Sequence, residues 1–299
     1  MMTPALFSVS YAGLWGQQAL DLPAFLRKAA DLGYPAVELM GKRPHLSPLD
    51  FDAAGLTRLK DTAAACGVEI ATVAAYTDFT AGVAHAEIPE VEIQVAYVRE
   101  LCRMAAQLGA KIVRVFTGYA TDELAIAADW GKCVTALREC ARLAEGEGVV
   151  LGVQNHHDVG VSTEAFQALL DAVDHPNCQA MFDPWAAALH GDDLYACAKQ
   201  LAPRMVQSTF ADYRRLRRFK YLPGLVNYQP LPEQVQAVPL GEGFIDYPAF
   251  MRGLIDGGFS GYLAYEMCSP LQGGGSEDSL DATARTSLAR MREWIGTTP

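Results

Sequence analysis

Short β-rich runs alternate with longer helix-patterned runs along the whole chain. That alternation constrains the possible folds more than any other feature. The β-like runs are residues 7–9, 36–39, 69–75, 112–117, 149–154, 179–183, 205–209 and 262–266. Strict alternation implies a parallel sheet with right-handed crossovers. Eight such units in about 250 residues predict a closed (β/α)8 barrel. The expected fold class is therefore α/β, with residues 1–299 forming a single TIM-barrel domain.

An internal repeat supports this reading. The segment Asp21-Leu-Pro-Ala-Phe-Leu-Arg27 matches Asp246-Tyr-Pro-Ala-Phe-Met-Arg252. Each Asp can cap a helix whose first turn holds a proline. Leu22, Phe25, Leu26, Ala29 and Leu32 then share one helical face. Each unit reaches a glycine–aromatic pair, Gly33-Tyr34 or Gly258-Phe259, and then an apolar strand ending in Glu38 or Glu266. The Leu240–Gly243 and Gly273–Gly275 glycines read as turns, because neither stretch has the strand-to-helix context of a phosphate loop.

The formal net charge is −11, from 24 basic and 35 acidic side chains. This argues against nucleic acid or an anionic membrane as the main partner. No apolar run reaches the roughly 18 residues a spanning helix needs, and the N-terminus lacks the basic and apolar regions of a secretory signal. The seven cysteines show no CxxC spacing and lie mostly in apolar helical stretches, which predicts reduced thiols and a cytoplasmic protein. One long stretch, about 212–244, reads as irregular. It holds Arg214, Arg215, Arg217, Arg218 and Lys220 beside Tyr213, Phe219, Tyr221 and Tyr228. A loop of that length predicts a lid or an oligomer contact.

In a barrel of this kind the chemistry sits at the C-terminal ends of the strands. Those ends read Glu38, Tyr76, Thr117, Gln154-Asn155-His156, Asp183, Thr209 and Glu266. Asp183 and Glu266 each close an apolar strand, a costly placement for a carboxylate unless a cation meets it. A divalent ion is one answer and Arg114 is another. Trp15 and Tyr11, after the first strand, could offer an apolar platform to a sugar face. Arg114 could bind a substrate oxyanion or serve as a structural partner for Asp183 or Glu266. His45, His85, His175 and His190 read as surface residues, while His156 and His157 read as pocket candidates.

The stretches GVVLGVQNHHD, AMFDPWAAALHGDD, FADYRR and VPLGEGFIDYPAFMRGLIDGGFSGYLAYEM resemble the xylose-isomerase-like TIM barrels. These are the sugar phosphate isomerases and epimerases, including inosose isomerases and ketose 3-epimerases. The resemblance covers almost the whole chain. It implies one divalent metal held by Glu, Asp, His and Glu from strands five to eight, with the two glutamates moving the substrate proton. Carried onto this chain, Asp183 and Glu266 match. Gln154 replaces the strand-five glutamate. Thr209 falls at the histidine position of strand seven, and Gln207, on the same strand face, offers a longer amide.

The resemblance thus implies a metal set of Gln154, Asp183, Gln207 and Glu266 around Mn or Mg, with Zn or Co as the other options. Glu266 and His156 are the expected catalytic pair, and Arg114, Trp15 and His157 the expected substrate contacts. The expected activity is isomerisation or epimerisation of a sugar or keto-sugar through an enediolate. The alternatives are the catalytic subunit of a C-glycoside-cleaving lyase and a non-catalytic sugar-binding descendant. The expected partners are a small sugar and a second copy of the chain in a homo-oligomer, with a small partner subunit as the other assembly.

Overall fold

A computed structural model describes residues 1–82, 87–122 and 125–296. The predicted cap at Asp21 forms: its carboxylate accepts the Ala24 N–H at 2.8 Å and opens helix α1, Leu22–Leu32. The twin at Asp246 accepts from Ala249 at 2.9 Å and opens α8, Tyr247–Asp256. Gly33 and Gly258 both take positive φ, +86° and +77°, a left-handed backbone that suits glycine. Each unit then enters a strand, β2 (Ala36–Met40) or β10 (Tyr262–Tyr265).

The barrel strands are β1 (Thr3–Phe7), β2, β3 (Glu69–Ala74), β4 (Ile112–Val115), β5 (Val150–Gln154), β6 (Cys178–Met181), β7 (Gln207–Phe210) and β10. Their order is β6-β5-β4-β3-β2-β1-β10-β7, and every pairing is parallel. This is a single (β/α)8 TIM barrel. Closure between β6 and β7 lacks a continuous ladder. Among the described residues that seam is bridged by the Val206 N–H donating to Ala180 O at 3.0 Å and by Ser208 Oγ donating to Phe182 O at 2.8 Å. The helices α2 (Ala53–Cys66), α3 (Glu90–Leu108), α4 (Ile126–Gly146), α5 (Thr163–Val173), α6 (Pro184–His190), α7 (Leu194–Leu201) and α9 (Glu277–Gly296) complete the outer ring with α1 and α8. Tyr11 and Lys28 donate to the two oxygens of Asp281 at 2.8 and 2.6 Å, tying α9 to the start of the chain.

The stretch after β7 departs from expectation. It is an antiparallel hairpin, β8 (Asp212–Leu222) paired with β9 (Asn227–Val238). The Asp212 carboxylate holds its base by accepting the N–H groups of Tyr213, Gly241 and Gly243 at 2.9 Å and that of Ile245 at 3.4 Å. Such a convergence of backbone donors on one charge is strong and directional. It leaves no room at Gly243, where an added Cβ would lie 1.9 Å from Asp212 Oδ1. The seven cysteines are unbridged. Among the described residues no helix is long and apolar enough to cross a membrane.

Candidate active site

The barrel interior is layered. Ala5, Ala36, Ala71 and Ala264 form a small-residue floor. A polar chain also crosses the barrel. Thr72 Oγ1 donates to Gln207 Oε1 at 2.6 Å, and Gln207 Nε2 donates to Glu38 Oε2 at 2.5 Å. The register shifts between Val37 and Glu38 so that Glu38 pairs with Thr72, a local irregularity that re-aims side chains. Arg114 Nε lies 3.9 Å from Glu38 Oε1. Arg114 Nη1 donates to Gln154 Oε1 at 2.9 Å and Nη2 donates to Ala75 O at 3.2 Å. Gln154 Nε2 in turn donates to Asp183 Oδ2 at 3.1 Å. The guanidinium also lies 4.0 Å from the centre of the Phe116 ring and 4.8 Å from that of Tyr76, a cation–π cage for a buried charge.

Asp183 and Glu266 sit above this chain at the strand ends. Asp183 Oδ1 accepts the Trp185 N–H at 2.8 Å and so caps α6. Asn155 clamps the Asp183 backbone, accepting its N–H and donating to its carbonyl. Glu266 is 8 % exposed and accepts from the Cys268 thiol at 3.2 Å; Tyr213 shares a 2.9 Å contact with the same sulfur. Burial pushes Glu266 up to about 8, and repulsion from Asp183 adds to the rise against Arg114 and Cys268. Burial also raises Asp183 to about 6 and Glu38 to about 7, opposed in both by Arg114.

The mouth beside Asp183 is an aromatic-walled cavity of about 280 Å³. Tyr119, His156, His157 and Trp185 are among its walls. The His157 ring stacks on Tyr119 with centroids 4.0 Å apart, and Trp185 packs on Tyr213 at 4.5 Å. His157 holds a φ of +67°. Burial lowers both histidines to about 4, so both rings are neutral at neutral pH. His156 Nδ1 accepts the His157 N–H at 2.8 Å, which puts the His156 proton on Nε2. Trp185 Nε1 and His157 Nδ1 are buried without a hydrogen-bond partner among the described residues. Among the described residues no Lys or Arg lines this cavity.

The structure therefore brings Gln154, Asp183, Glu266, Arg114, His156 and His157 to one end of the barrel. It places the other expected residues elsewhere. Gln207 pairs in register with Tyr262, four positions before Glu266, so about 13 Å of strand separates the two levels. Thr209 is buried opposite Ala264. Tyr11 is fully buried on Asp281 and is not a platform, while Trp15 is 39 % exposed in the loop after β1. His45 is buried, between Ser8 Oγ and Leu20 O, where a surface position was expected. His190 is exposed, His175 is half-buried near Glu145, and His85 lies outside the described residues. Sequence reasoning missed Trp185, two residues after Asp183, and Cys268, two after Glu266. It also missed Lys42 at the end of β2, whose Nζ lies 3.9 Å from the centre of the Tyr76 ring.

The amide groups do not fit the expected cation. Four ligands must turn their oxygens toward one point. Arg114 takes the Gln154 oxygen and Thr72 takes the Gln207 oxygen, so both amides present N–H groups to carboxylates. Among the described residues no group of three or more His, Cys, Asp or Glu side chains converges as a metal site. The fixed positive charge that Asp183 and Glu266 feel is Arg114.

A family model described as xylose isomerase-like TIM barrel matches residues 26–294. The chain belongs to that family. Fructoselysine 3-epimerase of Escherichia coli O157:H7 is 24% identical over 263 residues, covering 84% of this chain and 87% of that protein. A xylose isomerase domain protein from Alicyclobacillus acidocaldarius superposes with a TM-score of 0.75 at 19% identity, over 99% of both chains. D-Psicose 3-epimerase from Clostridium cellulolyticum H10 gives 0.74 at 16% identity, over 98% of this chain and 99% of that one. At these identities the superpositions speak for the fold alone.

Proposed function

We propose that the chain is an isomerase- or epimerase-type enzyme that moves a proton beside the carbonyl of an unphosphorylated keto-sugar, with Glu266 as its base. The observation that carries this reading is Glu266 itself, a buried strand-end carboxyl group raised to about 8. Near neutral pH such a group can both take and return a proton within one turnover. Arg114 supplies the fixed positive charge toward which an enediolate would develop. His156 presents an Nε2–H donor for a substrate oxygen. The likeness to fructoselysine 3-epimerase supports the reaction class. Arg114 is already engaged by Gln154 and Ala75, and among the described residues the cavity beside Asp183 is lined by no Lys or Arg, which supports a substrate without phosphate. With Gln154 in place of a second strand-end base, a single-base proton shift between adjacent carbons, which is isomerisation, fits better than a symmetric two-carboxylate epimerisation; inversion at one carbon would need a second donor on the opposite face. No step in this scheme runs through Mn or Mg.

The aromatic walls favour a second reading, cleavage of an aryl C-glycoside whose sugar already carries a keto group, by the same proton abstraction beside that carbonyl, with the aryl group leaving by elimination. Tyr119, His157 and Trp185 would then receive the flat aglycone. The discriminating experiment incubates native protein in D₂O with a panel of ketohexoses and with a keto-sugar (oxo) aryl C-glycoside. NMR follows deuterium uptake at carbon, and chromatography follows aglycone release. Uptake into a ketose that is lost in Glu266→Gln supports the first reading, and aglycone release supports the second. If native protein does neither, the chain is a non-catalytic sugar-binding descendant.

A further inference from the structure

The hairpin of β8 and β9 is an arm fixed at its base and, among the described residues, mostly exposed beyond it. Its base is locked by Asp212, as described, and by Ala237, which exchanges backbone hydrogen bonds with Pro270 and Gln272 at 3.1 and 2.9 Å. Arg214 binds Gln236 across the ribbon, and the Arg215 guanidinium lies 4.6 Å from the centre of the Phe244 ring. Beyond that base, most residues from Arg214 to Gln234 are exposed. A two-stranded ribbon exposed on both faces is marginal unless something packs on it, and its unpaired edges invite association.

Its surface has two properties found together nowhere else on the described chain. Phe219, Tyr221, Leu225, Val226 and Tyr228 are exposed large apolar side chains within ten consecutive positions. Such a cluster marks an interaction surface. The arm is also strongly basic. Residues 213–238 carry five cations, Arg214, Arg215, Arg217, Arg218 and Lys220, against the single acid Glu233. The remainder of the chain holds 19 basic and 34 acidic side chains, the complement within totals of 24 and 35. A net +4 arm therefore projects from a net −15 body.

We infer that the arm docks on the acidic body of a second copy of this chain, in a reciprocal exchange that makes a twofold dimer. Two arms and two bodies satisfy each other in one closed arrangement. Opposite charge steers the encounter, and the tip aromatics supply the apolar anchor. An anionic bilayer is the poorer occupant, because the −11 molecule would be repelled by it.

Sedimentation velocity on full-length protein over a concentration series tests this, at about 0.1 M and about 1 M NaCl, where the Debye length falls from ~10 to ~3 Å. Native protein is expected to form a dimer whose dissociation constant rises at high salt. The charge-reversed pair Arg217→Glu and Arg218→Glu, and separately Tyr228→Ser with Leu225→Ser, should each weaken the dimer at least tenfold. Their circular dichroism and melting temperature should stay close to those of monomeric native protein, since Arg217, Arg218 and Leu225 are exposed and Tyr228 meets rings of the hairpin itself, Tyr221 and Phe219. A native protein that stays monomeric at every concentration overturns the inference. So does a dimer that both arm variants leave intact, or an arm-dependent cosedimentation with phosphatidylserine vesicles that outcompetes self-association.

Discussion

Replacing Glu266 with Gln should stabilise the fold and abolish proton exchange together. Burial and Asp183 lift the Glu266 carboxyl from an ordinary 4.5 to about 8. The folded chain therefore keeps that proton up to about pH 8, whereas the unfolded chain releases it near 4.5. Between those values the native state binds more protons, so its stability falls as pH rises. The penalty is absent below about pH 4.5 and complete above about pH 8. At roughly 1.4 kcal/mol per unit the full window is worth about 5 kcal/mol. Asp183 keeps its own burial cost, and a buried glutamine amide with few partners costs about 2 kcal/mol, so the net gain from the substitution should be about 3 kcal/mol. Glutamine keeps the shape and an oxygen for the Cys268 thiol. Urea unfolding of native and variant protein in chelator-treated buffer measures the difference. The variant's midpoint should rise by up to about 1 M near pH 8, for a urea slope of about 3 kcal/mol per M, and hardly at all near pH 5. The reasoning fails if the variant is less stable at both pH values. It also fails if native protein gains stability between pH 5 and 8 and the variant does not. That outcome would mean an ionised Glu266 held by a cation.

Three further outcomes are expected. Gln154→Glu removes the amide donor from Asp183 and sets a carboxylate against it, so Mn²⁺ should raise the melting temperature of this variant and leave that of native protein unchanged; equal shifts in both would restore the metal reading. Asp281→Ala strands the Tyr11 hydroxyl and leaves the Lys28 ammonium to Glu277 alone and should cost about 1–3 kcal/mol in urea unfolding, with Tyr11→Phe costing only about 1; equal losses from the two would show that the Lys28–Asp281 pair contributes little. Gly243→Ala forces a Cβ into Asp212 and should speed trypsin cleavage after Arg217 and Arg218 severalfold, and unchanged cleavage would mean that Asp212 does not hold the arm.

The barrel was legible because local signals agreed with the global pattern. Asp21 and Asp246 cap their helices as read, and each β-like run contains or overlaps a strand. The hairpin was not legible for a physical reason. A ribbon exposed on both faces needs no apolar alternation, and its run of arginines looks like a solvated turn. Residues facing the barrel axis were also misjudged in part. Glu38 and Glu266 follow the same repeat, yet Glu38 lies within β2 and is fully buried, while Glu266 follows β10 and reaches the mouth. Height along the barrel axis depends on strand register, which the sequence states only indirectly. His45 was hidden because burial of a polar ring is decided by distant partners, here Ser8 and Leu20.

The seam between β6 and β7 makes the barrel a C-shaped sheet closed by a clasp. Elsewhere each strand is zipped to its neighbours, so opening one amide means opening many. At the clasp, among the described residues, the isolated Ala180–Met205 bridge with its Val206 bond and the Ser208 hydroxyl span the gap. Hydrogen–deuterium exchange should therefore find a low-energy breathing motion at Val206 while the amides of β1 and β2 stay protected. Asp183 follows β6 and Asp212 opens the arm just past β7. The clasp thus lies between the strand that leads to Asp183 and the root of the arm, so a partner gripping the arm would also restrain the part of the barrel wall that yields most readily.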